Sequence, residues 1–368
     1  MSNQALYVGL MSGTSLDGID AVLVAFAPHP PHSIQCLASH YQPYRQSLKD
    51  SLLALHHPAH DELHQAQLIS NALAQEYASA TVALLQTAHC ASSQVRAIGC
   101  HGQTIRHRPE LGYTVQLGNA ALLAELSGIS VVSDFRSRDL AAGGQGAPLV
   151  PVFHDRVMRH PTIHRVIVNI GGISNLTNLP PGQPTTGFDC GPGNLLMDAW
   201  IARHHGKSYD QDGAWATTGH VIPALLRALL QEPFLHTAPP KSSGRDLFNL
   251  AWLHSKLHGG ESPADVQASL LAYTSRTISD AIQHYCEGVQ EIYLCGGGSH
   301  NLALVQSLQA SLGQCSIQST DVLGMNADYV EAIAFAWLAQ QTMGGHSANL
   351  PAATGARHPC ILGAIYQA

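Results

Sequence analysis

Apolar positions along the chain follow two periods, and the two halves of the chain repeat the same order of them. Near the N-terminus, residues 7–24 form a β-rich apolar run that breaks at Ser12-Gly13-Thr14-Ser15-Leu16-Asp17-Gly18 and resumes. Mid-chain, residues 166–179 do the same around Gly171 and Gly172. Each reads as a strand, a glycine-bearing turn and a second strand. Alanine and leucine at three- to four-residue spacing then predict a helix over 47–89, with shorter ones over 118–127 and 195–204. Longer apolar faces predict helices over 265–286 and 329–341. Strands are expected at 95–100, 131–133 and 291–294, the first ending in a polar turn at 101–104 and the last running into Cys295 to Asn301 and a helix to about 312. Strands alternating with helices predict mixed α/β layers in each half.

At 368 residues the chain exceeds what one core usually supports, so two domains are expected. The glycine-rich stretch 141–148 marks the neighbourhood of the boundary, giving an N-terminal lobe over 1–150 and a C-terminal lobe over 151–368. The final helix is a candidate to pack back on the first lobe. A hydrophobic share of 45% against 12% charged residues excludes a disordered chain. A net charge of −7 with 18 basic residues argues against a nucleic-acid partner. No leader pattern and no apolar run of about 18 residues is visible, so no membrane association is expected. Eight cysteines without a CxxC pair read as reduced thiols in a cytoplasm. The 23 histidines include no HExxH, and His56, His57, His60 and His64 are expected on a polar helical stretch, as solvated side chains.

Candidate chemistry gathers at the breaks between apolar runs. In the first turn Gly13, Thr14 and Ser15 can offer amides and hydroxyls to phosphate, and Asp17 can orient a metal-bound water. An ordinary hairpin turn is the alternative. The glycine triplet Gly296-Gly297-Gly298, ahead of a helix, leaves room for a flat ligand such as an adenosine, or is a plain helix entry. Asp189, in Phe188-Asp189-Cys190-Gly191-Pro192-Gly193-Asn194, suits a general base, with Asn194 the better candidate to cap the next helix. Asp134, Arg136, Arg138 and Asp139 are either a salt-bridged turn or a site where an arginine pairs with a substrate carboxylate. Glu331 is either an acceptor for a substrate hydroxyl or a first-turn helix acid. The Gly206-Lys207-Ser208 stretch lacks the rest of a P-loop.

Taken together, residues 11–18, 99–104, 134–136, 143–149, 169–175, 188–194, 239–245 and 362–366 resemble the anhydro-N-acetylmuramic acid kinase family, within the actin, hexokinase and Hsp70 ATPase superfamily. The resemblance covers essentially the whole chain. One departure is Cys190, where the family pattern usually has threonine. The resemblance implies a two-lobed, actin-like (ribonuclease H-like) α/β fold with an interlobe active-site cleft. It implies use of ATP and Mg²⁺ to open the 1,6-anhydro ring of anhydro-N-acetylmuramic acid and phosphorylate O6, in peptidoglycan recycling. Asp189 would be the catalytic base. ATP would be held by Gly13, Thr14, Ser15, Leu16, Asp17, Gly18, Ile19, Asp20, Gly171, Gly172, Gly296, Gly297, Gly298 and Asn301. The sugar would meet Asp134, Arg136, Asn194 and Glu331. Mg²⁺ would arrive on the phosphates, with Asp17 a candidate ligand. The expected assembly is a homodimer.

Overall fold

The computed structural model describes residues 4–27 and 34–368. Its strands, in chain order, are β1 (Ala5–Met11), β2 (Gly18–Phe26), β3 (Ile34–Pro43), β4 (Val95–Cys100), β5 (Gln103–Arg108), β6 (Tyr113–Leu117), β7 (Val131–Ser133), β8 (Arg165–Ile170), β9 (Ile173–Leu179), β10 (Thr186–Pro192), β11 (Glu291–Cys295), β12 (Ser316–Ser319) and β13 (Ala364–Tyr366). The chain divides into two compact units. One runs to Phe153 and resumes over Tyr329–Ala368; the other is His154–Asp328.

The repeat seen in the sequence is a repeat of topology. In the first unit the sheet order is β13-β7-β4-β1-β2-β3, and in the second it is β10-β9-β8-β11-β12. In each, a three-strand antiparallel meander (β1-β2-β3 or β8-β9-β10) leads to two further strands that pair parallel on the far side of its first strand. The parallel additions need crossovers, supplied by helices such as Glu62–Thr87 and Pro263–Tyr285. The expected α/β layering is therefore present in each unit, built around separate apolar cores.

One close approach fixes the first unit. Gly9 on β1 lies beside Gly99 on β4 in register. A Cβ on Gly9 would run into the Ala332 carbonyl, and one on Gly99 into the Phe335 carbonyl. The missing side chains let the helix Val330–Met343 settle directly on the sheet, with Phe335, Ala336 and Ala339 buried.

Several expected elements differ. The helix expected over 47–89 is two, Gln46–Ala54 and Glu62–Thr87. Pro58 lies in the gap, where it lacks an amide and disfavours helical backbone before it. His56, His57 and His60 therefore sit in a break between helices rather than on one. The polar turn expected at 101–104 is the start of the hairpin β5–β6. β3, which pairs through one edge only and is largely exposed, carried no apolar run to betray it. Among the described residues no helix is long and apolar enough to cross a membrane.

Candidate active site

The first unit presents the turn between β1 and β2. Its inward side is fully engaged. The Ser12 hydroxyl is 2.6 Å from the Tyr77 hydroxyl and donates to the Gly102 carbonyl at 3.0 Å. Gln103 Nε2 donates to the Gly13 carbonyl at 2.9 Å, and the Leu16 amide reaches the same oxygen at 3.3 Å. Leu16 takes a left-handed backbone, φ 58°, and buries its side chain, as does Ile19. A Cβ on Gly18 would meet the Gln42 carbonyl. Leu16, Gly18 and Ile19, expected to touch nucleotide, thus serve the core through their side chains or their lack of one. The outward side is different. A Cβ on Gly13 would find nothing nearer than 3.7 Å, and Asp17 is exposed, one carboxylate oxygen taking the Ser15 hydroxyl at 2.7 Å and the Gly18 amide at 3.0 Å. Asp20 sits on β2, its backbone paired between Met11 and Tyr41.

His101, which the sequence offered only as part of a turn, links this turn to Arg136. Its Nδ1 lies 3.3 Å from the Ser12 carbonyl, and its Nε2 accepts from Arg136 Nε at 3.1 Å. Since Nε2 is the acceptor, the proton sits on Nδ1. Burial, followed by the Arg136 charge, pulls the imidazole down to about 3, so it is neutral at physiological pH. Arg136 also donates to the Gly146 carbonyl at 2.8 Å. Asp134 is exposed with φ 56°, beside a cavity of about 280 Å³ that also borders Tyr77, His101, Gln116, Asn119 and Ser137. The other members of the charged stretch part company. Arg138 is exposed, whereas Asp139 is fully buried. Asp139 accepts from the Gly146 amide, Asn349 and Thr354 at 2.8–2.9 Å, which makes it the anchor of the glycine-rich loop. Glu331 occupies the first turn of the helix seated on Gly9 and Gly99.

In the second unit the turn between β8 and β9 is stapled shut. The carbonyls of Gly171 and Gly172 accept the amides of Asn194, Gly193 and Leu195 at 2.8–3.2 Å. The last of these, Leu195, is the first residue of the helix Leu195–His205, so the helix start is tied to the turn. Asn194 stands at the N-cap position but makes no cap bond; its Nδ2 donates to the Ile170 carbonyl at 3.2 Å. The glycine triplet closes on the same spot. A Cβ on Gly296 would strike Asn169 and one on Gly298 would strike Ile170, whereas Gly297 is exposed with only Asn194 Nδ2 at 3.9 Å. Asn301 caps the next helix, accepting the Leu304 amide at 3.1 Å. Room for a ligand at the triplet is thus confined to Gly297.

Asp189 lies on β10 opposite Asn175, immediately before a bulge at Cys190. It is 8% exposed. Its amide donates to the Lys241 carbonyl at 3.1 Å and its Oδ2 accepts the Ser243 amide at 2.8 Å. The Ser243 amide thus fixes the orientation of a buried carboxylate.

Within each unit taken by itself, carbonyls of the glycine turn are bonded inward, at Gly13 in the first and at Gly171 and Gly172 in the second, while a Cβ on Gly13 or Gly171 would meet nothing nearer than 3.6 Å. No group of three His, Cys, Asp or Glu among the described residues could hold a metal ion by itself. Asp17, an exposed carboxylate of the first unit, is a donor of the hard-oxygen kind that Mg²⁺ takes.

The family model described as anhydro-N-acetylmuramic acid kinase matches residues 5–368. A protein of that name from Thiobacillus denitrificans is 57% identical over 365 residues, 98% of this chain and 97% of the relative. Others from Nitrosospira multiformis and Nitrosomonas europaea are 56% and 54% identical, over 99% and 98% of this chain and 99% of each relative. Among solved structures, component A of the Acidaminococcus fermentans (R)-2-hydroxyglutaryl-CoA dehydratase aligns with a TM-score of 0.47 at 13% identity, over 90% of this chain and 96% of that one. On the family match and these relatives, the chain belongs to the anhydro-N-acetylmuramic acid kinase family.

Proposed function

We propose that this protein opens the 1,6-anhydro ring of anhydro-N-acetylmuramic acid with water and phosphorylates the released oxygen from ATP, giving N-acetylmuramate 6-phosphate and ADP. The observation that carries the reading is Asp189: a buried carboxylate, gripped by the Ser243 amide, on the strand before the bulge at Cys190, in a chain of this family. An anhydro sugar has no free 6-hydroxyl, so a nucleophile must first be made. Asp189 takes a proton from water as the water oxygen bonds to the anomeric carbon. The bond from that carbon to the bridging oxygen breaks, and O6 attacks the γ-phosphoryl group.

The nucleotide groups we assign are Gly13, Thr14, Ser15, Asp17, Gly171, Gly172 and Gly297, with Leu16, Gly18, Ile19, Asp20, Gly296, Gly298 and Asn301 shaping the backbone around them. Mg²⁺, when bound with ATP, would neutralise charge on the transferring phosphates. Arg136, oriented by neutral His101, suits the lactyl carboxylate. Asp134, Asn194 and Glu331 are assigned to the sugar's remaining polar groups. On this reading the enzyme works in peptidoglycan recycling, with the cytoplasm, where ATP is supplied, as its assigned compartment, and a homodimer is the assembly to test by light scattering.

Heavy-oxygen water tests the coupling. A brief incubation with the anhydro sugar, quenched before the anomeric centre exchanges, should leave one label at C1 and none in the phosphate. An unlabelled C1 would refute hydrolytic opening and leave an ordinary kinase acting on a free hydroxyl.

A further inference from the structure

We propose that Lys241 is a positioning residue for Asp189, its buried ammonium fastening the segment 239–245 so that this segment's backbone grips the carboxylate. The inference rests on the reading of Asp189 as the base. Lys241 is only 6% exposed. Its Nζ donates to the carbonyls of Phe234 and Leu235 at 3.1 and 3.0 Å and lies 4.9 and 5.8 Å from the ring centres of Phe234 and Phe188. A buried ammonium is costly unless such partners surround it. At this anchor and just beyond it the same segment reaches β10. The Lys241 carbonyl accepts from the Asp189 amide, and two residues on the Ser243 amide donates to Asp189 Oδ2. Lys241 therefore ties the segment to the Pro233–His236 turn at one end and to β10 at the other.

Its charge acts on the same group. Burial lowers the Lys241 ammonium from its ordinary value, while Cys190 and Asp189 pull it back up. Linkage makes the attraction mutual: the cation that Asp189 stabilises in turn favours the ionised carboxylate. Other titratable groups around Lys241 come from β10 (Cys190), from the Pro233–His236 turn (His236) and from the Pro263–Tyr285 helix (Arg276, Asp280, His284, Tyr285). They line a cavity of about 610 Å³ with it, and Arg276 and Asp280 are paired with each other.

The test uses Lys241→Gln and Lys241→Arg in the full-length protein, with Asp189→Asn as reference. Lys241→Gln should lower kcat about tenfold or more and move the acid limb of kcat/KM upward by about one pH unit, with KM for ATP unchanged. Lys241→Arg, which keeps the charge, should keep the acid limb of the unaltered enzyme. A merely structural lysine would lower activity without moving the limb, and that result would overturn the proposal. Independently of any variant, hydrogen exchange at the Ser243 amide should be strongly protected compared with Gly244. Fast exchange there would overturn it even if Lys241→Gln failed to fold. Should Asp189→Asn prove active, the assignment of the base itself fails, an outcome separate from a silent Lys241→Gln.

Discussion

The two hairpin turns occupy the same place in the same topology, yet they are held in different ways. In the first unit the turn between β1 and β2 keeps its Gly13 carbonyl tied to Gln103 and its apolar side chains in the core, while Asp17 is exposed and Gly13 has open space beside it. In the second, two glycines are bonded by three successive amides at a helix start, and the glycine triplet packs on the neighbouring Asn169 and Ile170. A similar sequence signature thus marks a turn tied through a glutamine side chain in one unit and a turn tied through a helix start in the other, each leaving one glycine open on its outer side. Glycine has two physical uses, close approach and accessible backbone, and composition alone does not separate them.

Substitutions at these glycines sharpen the contrast. Gly193→Ala should be the most damaging, since its Cβ would enter the Gly171 carbonyl and break the tie between turn and helix start. The expected cost is about 3 kcal/mol, read as a fall in the urea midpoint. An unchanged midpoint would mean that the second turn is not stapled as described.

Acid should weaken both units through buried neutral histidines. His101 in the first unit and His154 in the second are each held down at about 3, chiefly by burial. Their unfolded value is about 6.5, so the unfolded chain binds more protons below that pH. Stability is full above about 6.5 and is lost as the pH falls toward the folded values, by about 2 kcal/mol per histidine between pH 7 and 5. Urea midpoints that stay level from pH 7 to 5 would contradict this.

Gly13→Ala and Gly297→Val probe the open positions. Neither added Cβ meets a close neighbour, so thermal stability should hardly move. KM for ATP should rise about tenfold if these backbones approach phosphate and adenosine, a loss of about 1.4 kcal/mol. Calorimetry that finds the nucleotide affinity of both variants unchanged would remove Gly13 and Gly297 from the site.

What the sequence made legible were features with a local cause. The paired apolar runs at 7–24 and 166–179, the helix beginning at Leu195 and the buried final helix all announce themselves by periodicity. Pro58 could have announced the helix break, and was outweighed by the alanine pattern around it. Edge strands such as β3 and β12 give no apolar signal, because half-exposed positions can be polar. Least legible were roles set by tertiary partners. Nothing beside Asp139 shows that Asn349 and Thr354 will bury it, and nothing near His101 announces Arg136. Asn194 has the residue type and position of a cap, but the Ile170 carbonyl claims its side chain. Lys241 sits 52 residues beyond Asp189, and only folding brings the two together.

Single-turnover kinetics of Asp189→Asn test the central claim most directly, with ring opening and ATP binding followed separately. The variant should bind ATP as the unaltered enzyme does, while ring opening slows by about 10²- to 10⁴-fold, the contribution expected of a positioned base. Near-normal ring opening in a folded, ATP-binding variant would show that Asp189 does not activate the water.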